Sequence, residues 1–240
     1  MNKLGNIKIF DIHTHIMNNV DDGAKNLEQS IRILKEAKKV GVKDIILTPH
    51  HYKTAFENSK ATLLEKYKEL LNIIEKENLN INLYYGNEVY VFPEMDKELD
   101  KYFTLANSKY ILVETSFEVH QLYLESEIQK LIQLGYQPII AHVERYKFVQ
   151  NNLEIVDKFI EMGAEIQSNY ASIIGYYGKG AQKTVKKLLK KEKIDYLASD
   201  VHKDQTIYEY MPDILKKLQK VATTEYLENI MYLNAQKIVY

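Results

Sequence analysis

Residues 7–15 read Ile-Lys-Ile-Phe-Asp-Ile-His-Thr-His, an apolar run that ends in two imidazoles two positions apart. In a β-strand, residues i and i+2 share a face, so His13 and His15 project together with Asp11 behind them. Neutral imidazole is the commonest protein ligand for Zn, Mn and Fe, and such a pair can hold one side of a metal. Two partly buried, hydrogen-bonded histidines would satisfy the same pattern. The pair alone leaves both readings open.

Moving outward from this strand, short apolar runs alternate with longer stretches of helical period. Strands are expected at Ile7–His13, Lys43–Thr48, Ile81–Asn87, Tyr110–Val113, Gln137–Ala141, Glu165–Gln167 and Ile194–Ala198. Helices are expected near Leu27–Val40, Ala61–Lys76, Leu122–Leu134, Leu153–Met162, Gln182–Lys191, Pro212–Val221 and Glu225–Ile238. Val40-Gly41, Leu134-Gly135 and Met162-Gly163 end helices on a glycine, as C-terminal caps do, and a new strand follows each. This repeated punctuation predicts an α/β fold with a mostly parallel sheet closed, or nearly closed, into a barrel. No linker, repeat or low-complexity tract interrupts residues 1–240, so one domain is expected.

Composition excludes several functions. The sequence has no cysteine, which removes disulfides, thiolate ligands and every cysteine-nucleophile mechanism, including that of the common protein-tyrosine phosphatases. A net charge of −1 argues against a nucleic-acid partner held by phosphate contacts. No apolar run approaches the ~18 residues of a membrane span, and the N-terminus lacks a signal-peptide core, so no membrane insertion and a cytoplasmic location are expected. Lysine dominates the cations: Arg32 and Arg145 are the only arginines.

Each strand gives way to a ligand-type side chain. The first ends at His13 and His15, followed by Asp21-Asp22-Gly23; the second at Pro49-His50-His51; the third at Asn87-Glu88; the fourth at Glu114; the fifth at His142-Val143-Glu144-Arg145; the seventh at Asp200-Val201-His202. In a βα barrel these ends share the face that carries the active site. Singly, each has a bland alternative. Asp22 before a glycine suits a turn, and His50 or His142 suits a satisfied histidine at a barrel mouth. Glu88 and Glu114 resist such a reading, because a buried unpaired carboxylate costs several kcal/mol. The bland readings would have to hold independently at six strand ends, and together the residues point to metal.

Five histidines with several carboxylates exceed the ligands of one metal with an open position. Two or three divalent ions sharing carboxylates fit better, and closely spaced ions suit displacement at phosphorus. Sulfur-free imidazole and carboxylate ligands leave Mn, Fe and Zn open. Arg145, three residues after His142, could grip phosphate oxygens bidentately; the alternative is a surface ion pair with Glu144.

In this order, FDIHTHIMNNVDDG, ILTPHH, YGNEVY, YILVETS, IIAHVERY and LASDVH resemble the PHP (polymerase and histidinol phosphatase) superfamily. Within it, the chain is most similar to the bacterial manganese-dependent protein-tyrosine phosphatases of the CpsB/YwqE type. The resemblance implies a distorted PHP-type (β/α)₇ TIM-like barrel and a trinuclear centre, with Mn²⁺ ahead of Fe²⁺ and Zn²⁺. It implies that His13, His15, Glu88 and Asp200 surround one ion. Glu88 would bridge to a second, held with Glu114 and His142, while Asp22, His50 and His202 hold the third. A bridging hydroxide would attack phosphotyrosine with Arg145 positioning the phosphate. The implied partner is a bacterial tyrosine autokinase that controls capsule and exopolysaccharide synthesis.

One departure stands out. The branch carries a second arginine several residues after the histidine of SDVH, whereas the run Lys203 to Tyr208 has none. Lys203 supplies a point charge but no bidentate fork, which bears on substrate affinity and leaves the ligands untouched. Asp11 is a candidate for orienting a ligand imidazole or for a structural carboxylate of the barrel, and His51 is expected to point away. His120 could line the substrate mouth or be a surface residue. Gln167 and Asn169 could face the site; Tyr90 and Phe92 could form an aromatic wall or simply pack. Alternative functions are a histidinol-phosphate or other small-phosphomonoester phosphatase, a non-catalytic kinase-binding regulator with a residual metal site, and an amidohydrolase. The last would need a bridging lysine at a strand end, and none sits there.

Overall fold

The computed structural model describes residues 8–119, 123–203 and 207–240. Its strands, in chain order, are β1 (Ile9–Thr14), β2 (Val42–Leu47), β3 (His50–His51), β4 (Asn82–Tyr85), β5 (Glu88–Tyr90), β6 (Tyr110–Glu114), β7 (Gln137–Ile140), β8 (Glu165–Asn169) and β9 (Tyr196–Ala198). The helices are α1 (Leu27–Lys39), α2 (Lys60–Lys76), α3 (Leu124–Gln133), α4 (Lys147–Asn151), α5 (Glu154–Glu161), α6 (Gly178–Lys190), α7 (Met211–Leu218), α8 (Thr224–Glu228) and α9 (Asn234–Val239). A π-helical turn, Asn229–Leu233, joins the last two. None is long and apolar enough to cross a membrane.

All strand pairs among the described residues are parallel. One sheet has the order β1-β2-β4 and the other β3-β5-β6-β7-β8-β9. The two are continuous in the chain, because β2 pairs β4 from Asp44↔Asn82 to Leu47↔Tyr85 and β3 then pairs β5 at His50↔Glu88. The interruption has a cause. Pro49 has no N–H to give to a ladder, and its carbonyl accepts from the Asn87 side chain at 2.8 Å and from the Glu88 N–H at 3.3 Å. At the far edge, Thr14 bridges Val201, and the His15 N–H donates to the Val201 carbonyl at 2.9 Å. The result is a curled parallel sheet whose strand ends gather at one rim.

The strands are covered on both faces: every residue of β1 and β6 is buried. The larger apolar cluster seats helices on the sheet through residues such as Ile33, Leu70, Ile128, Leu188 and Ile214. A smaller one joins Phe10, Ile12, Ile46, Leu112, Ile139 and Ala198 to Ala235 and Ile238 of α9. The glycines that end α1, α3 and α5 take left-handed φ values of +92°, +87° and +97°, which glycine adopts without penalty.

Expected and observed elements agree in order and differ at their ends. The third expected strand ends early at Tyr85 and β5 follows beyond its expected end, while the second gains the two-residue β3 after Pro49. Helix α4 was not foreseen. α6 starts at Gly178 rather than Gln182, because two glycines in a first turn disguise it by propensity.

Candidate metal centre

The C-terminal ends of the parallel strands deliver all nine expected ligands to one rim. β1 supplies His13, with His15 just past its end, β3 supplies His50, β5 supplies Glu88 and β6 supplies Glu114, while His142, Asp200 and His202 follow β7 and β9. Asp22 arrives on the loop after β1. Gly23 lets that loop close, since a Cβ there would lie 2.2 Å from the His15 carbonyl oxygen. His142 (φ +33°) and Asp200 (φ +56°) both sit in the left-handed region. That conformation costs on the order of 1–3 kcal/mol outside glycine, and such strain concentrates at functional sites.

The donor atoms converge. Glu88 Oε2 lies 3.0 Å from His13 Nε2, 3.2 Å from His15 Nε2 and 3.1 Å from His50 Nδ1. His13 Nε2 and His15 Nε2 are themselves 3.2 Å apart. Three groups of side chains have ligand atoms mutually within 4.8 Å: His13, His15, Glu88 and Asp200; His15, Asp22, His50 and His202; and His50, Glu88 and Glu114. His142 Nε2 stands 2.8 Å from Glu88 Oε1 and 3.7 Å from Glu114 Oε2. The grouping differs from the implied one in three respects: His15 also joins Asp22, His50 and His202; His50 reaches Glu88 and Glu114 with Nδ1 as well as Asp22 with Nε2; and His142 stands outside the Glu88 and Glu114 group.

This set fits divalent cations. Glu88 Oε2 and His50 Nδ1 are buried without an aligned hydrogen bond, although nitrogens and oxygens crowd around them. Lone pairs packed this closely repel unless a positive charge lies between them. The electrostatics agree. Burial alone would lower the His13 and His50 pKa values, but the charges of Glu88 with Asp200, and of Glu88 with Glu114, raise them to about 9 and about 11. Burial would raise Asp200, and His13 and His202 instead bring it down to about 2. The pocket is built to hold cationic charge.

A ring of further side chains fixes the ligands. Asp21 Oδ2 accepts from His15 Nδ1 at 2.7 Å and from the His50 N–H at 3.0 Å, while its Oδ1 accepts from the Gly23 N–H at 2.9 Å. His15 thereby turns Nε2 to the cluster. Gln167 Oε1 accepts from His13 Nδ1 at 3.2 Å and from the His142 N–H at 2.8 Å. Asn169 donates to Asp200 Oδ2 at 2.8 Å. Of its two readings, Asp11 follows the structural one. It accepts from the Tyr170 and Tyr208 hydroxyls at 2.6 and 2.8 Å and from the Ser199 and His13 N–H groups. It ties backbone to backbone beneath the site and touches no imidazole ring.

A cavity of about 530 Å³ opens beside the cluster. Arg145 forms part of its wall, with Nη1 2.7 Å from Asp200 Oδ2. Its guanidinium is sandwiched between Phe117 and Tyr177, at 4.3 and 4.4 Å from the ring centroids. The ion pair with Glu144 does not form; Glu144 is buried and accepts instead from Ser172 and the Asn169 N–H. Lys25 and Lys203 also line the cavity, as do Tyr176 and Tyr177. His51 turns away to pack on Tyr102 and Phe92, and Tyr90 stacks on Tyr52. His120 lies outside the described residues. Sequence reasoning missed Asp21, Lys25, Phe117 and Tyr177. Only Asp21 left a trace, as half of an acidic pair before a glycine.

A family model described as capsular polysaccharide synthesis, CpsB/CapC, matches residues 9–240. The chain is 31% identical to the tyrosine-protein phosphatase YwqE of Bacillus subtilis over 214 residues, covering 88% of this chain and 84% of that protein. It is 29% identical to the tyrosine-protein phosphatase CpsB of Streptococcus pneumoniae over 238 residues, covering 96% and 98%. Among solved structures it resembles one from the crystallographic study of those two proteins, described as unique metal-dependent tyrosine phosphatases. That match has a TM-score of 0.89 at 29% identity, covering 96% of this chain and 94% of the other.

Proposed function

The chain belongs to the CpsB/CapC family of capsular polysaccharide synthesis proteins, and from that premise we propose that it is a metal-dependent phosphatase of protein phosphotyrosine. The substrate in this reading is a bacterial tyrosine autokinase of capsule or exopolysaccharide synthesis, met in the cytoplasm. The observation that carries it is the convergence of three imidazoles on Glu88 Oε2 beside a cavity walled by Arg145. Counting each interrupted strand pass once gives seven parallel strands, which supports a distorted (β/α)₇ barrel over residues 1–240 as one domain.

His13, His15, Asp22, His50, Glu88, Glu114, His142, Asp200 and His202 would hold two or three divalent ions. The nitrogen and oxygen donors leave Mn²⁺, Fe²⁺ and Zn²⁺ open, and the family resemblance puts Mn²⁺ first. Bound there, such ions acidify water and neutralise charge on the phosphoryl oxygens. The chain's own contribution is placement. Arg145 is held flat by two rings, and with Nη1 engaged by Asp200 its other N–H groups remain for two phosphate oxygens. Lys25 and Lys203 add positive charge to the same cavity, and Lys203 would substitute as a point charge for the branch's second arginine. No cysteine is present to form a phosphoenzyme, and in this reading water accepts the phosphoryl group directly while the P–O(aryl) bond breaks and the tyrosine oxygen takes up a proton. A phenol of pKa ~10 leaves more readily than an aliphatic alcohol.

The test compares kcat/KM on a phosphotyrosyl peptide and on histidinol phosphate, after chelation and again after Mn²⁺ is restored. Metal-dependent turnover that favours the peptide is expected. A preference for histidinol phosphate would replace the substrate, and no turnover under any metal would leave a non-catalytic regulator.

A further inference from the structure

Helix α6 reads GKGAQKTVKKLLK, five lysines without a carboxylate. At ~100° per residue, Lys179, Lys183, Lys186, Lys187 and Lys190 fall within one arc of about 100°. The opposite face, with Ala181, Val185 and Leu188, is buried in the protein. Lysines elsewhere pair with acids, as Lys35 does with Glu77, Lys53 with Glu98 and Lys158 with Glu125. None of the five has an ion pair among the described residues. Like charges three and four residues apart repel on a helix, so this stripe weakens α6 unless an anion covers it. The overall charge of −1 makes it a local feature.

The stripe begins at Lys179, two residues after Tyr177, which lines the cavity. α6 follows β8, whose C-terminal end lies at the metal centre, and Tyr176 and Tyr177 just before the helix line that cavity. From the rim, Lys179 to Lys190 spans about 16 Å, the reach of about five residues of extended chain. Resting on the phosphatase reading for its catalytic half, we propose that this face docks an extended acidic segment beside the phosphotyrosine of the substrate polypeptide. Its anions are carboxylates or further phosphate monoesters.

The test combines Lys179→Glu, Lys183→Glu, Lys187→Glu and Lys190→Glu, with the four Lys→Gln changes as a milder partner. Three phosphotyrosyl peptides are used, flanked on one side by glutamates, by further phosphotyrosines or by glutamines, together with a small aryl phosphate. For the anionic peptides, kcat/KM relative to the aryl phosphate should fall at least about tenfold at low salt and recover toward the parent's value at ~0.5 M salt. The glutamine variant should fall less, and the glutamate and phosphotyrosine peptides tell which anion the face takes. An unchanged ratio overturns the proposal. So does an unchanged ratio accompanied by lost binding to phosphatidylglycerol vesicles, which would make the face a membrane surface. Fluorescence anisotropy with labelled peptides carrying a non-hydrolysable phosphotyrosine mimic separates the two readings. If the parent protein hydrolyses nothing, weakened peptide binding in the reversed variant still supports docking while the phosphatase reading fails, and unchanged binding rejects docking as well.

Discussion

Replacing Asp21 with alanine removes one buried carboxylate that serves three donors at once: His15 Nδ1 at 2.7 Å, the His50 N–H at 3.0 Å and the Gly23 N–H at 2.9 Å. At roughly 1 kcal/mol net for each hydrogen bond, the loss comes to about 3 kcal/mol of stability in the metal-free protein. The larger consequence is for the cations, because without Asp21 nothing holds His15 with Nε2 toward the cluster. Losing such an orienting partner weakens metal binding about 10–100-fold. Asp21→Asn keeps one oxygen for His15 and His50 and loses only the Gly23 contact, so its effect should stay under about tenfold. Calorimetric titration with Mn²⁺, alongside circular dichroism, reads both variants. At saturating Mn²⁺ the alanine variant should regain much of its turnover, since Asp21 is no ligand. A folded Asp21→Ala protein that binds Mn²⁺ within about twofold of the parent would refute the orienting role.

Two further outcomes follow from charge. In the metal-free protein His13 and His50, at about 9 and about 11, both carry protons at neutral pH, so cation loading should release about two protons per chain and weaken as pH falls. Titrations in buffers of different ionisation enthalpy count them, and release well below one would contradict the assignment. Away from the site, burial lifts Asp195 from 3.8 to about 6 while it accepts from the Ile166 N–H. The folded state therefore keeps a proton that the unfolded chain releases, and stability falls as pH rises from about 4 to about 6. Asp195→Asn keeps the acceptor oxygen. In urea melts it should stabilise by about 1–3 kcal/mol near pH 8 and by almost nothing below pH 4; a gain independent of pH would show that another effect is at work.

The ligand positions were legible because parallel strands must end together. A histidine or carboxylate that closes an apolar run is carried to the rim by the sheet, whatever lies between the runs. Residues whose role depends on tertiary approach were not legible. Asp21 looks like a turn residue until the loop folds onto His15, and Phe117 and Tyr177 meet at Arg145 from separate loops with no spacing to announce them. The one-residue logic of an alternating strand also misled at Asp11. β1 carries a register irregularity between Asp11 and Thr14, and the carboxylate ends on Tyr170 and Tyr208 instead of behind the imidazoles. Strand ends were blurred where a proline interrupts the ladder, as Pro49 does between β2 and β3.

Anomalous diffraction at the manganese edge, from crystals of the Mn²⁺-loaded protein, tests the central claim most directly. Two or three peaks are expected within bonding distance of the His13, His15, His50, Glu88 and Asp200 donor atoms. A map without a peak among those side chains, from protein that hydrolyses phosphotyrosine, would contradict the account.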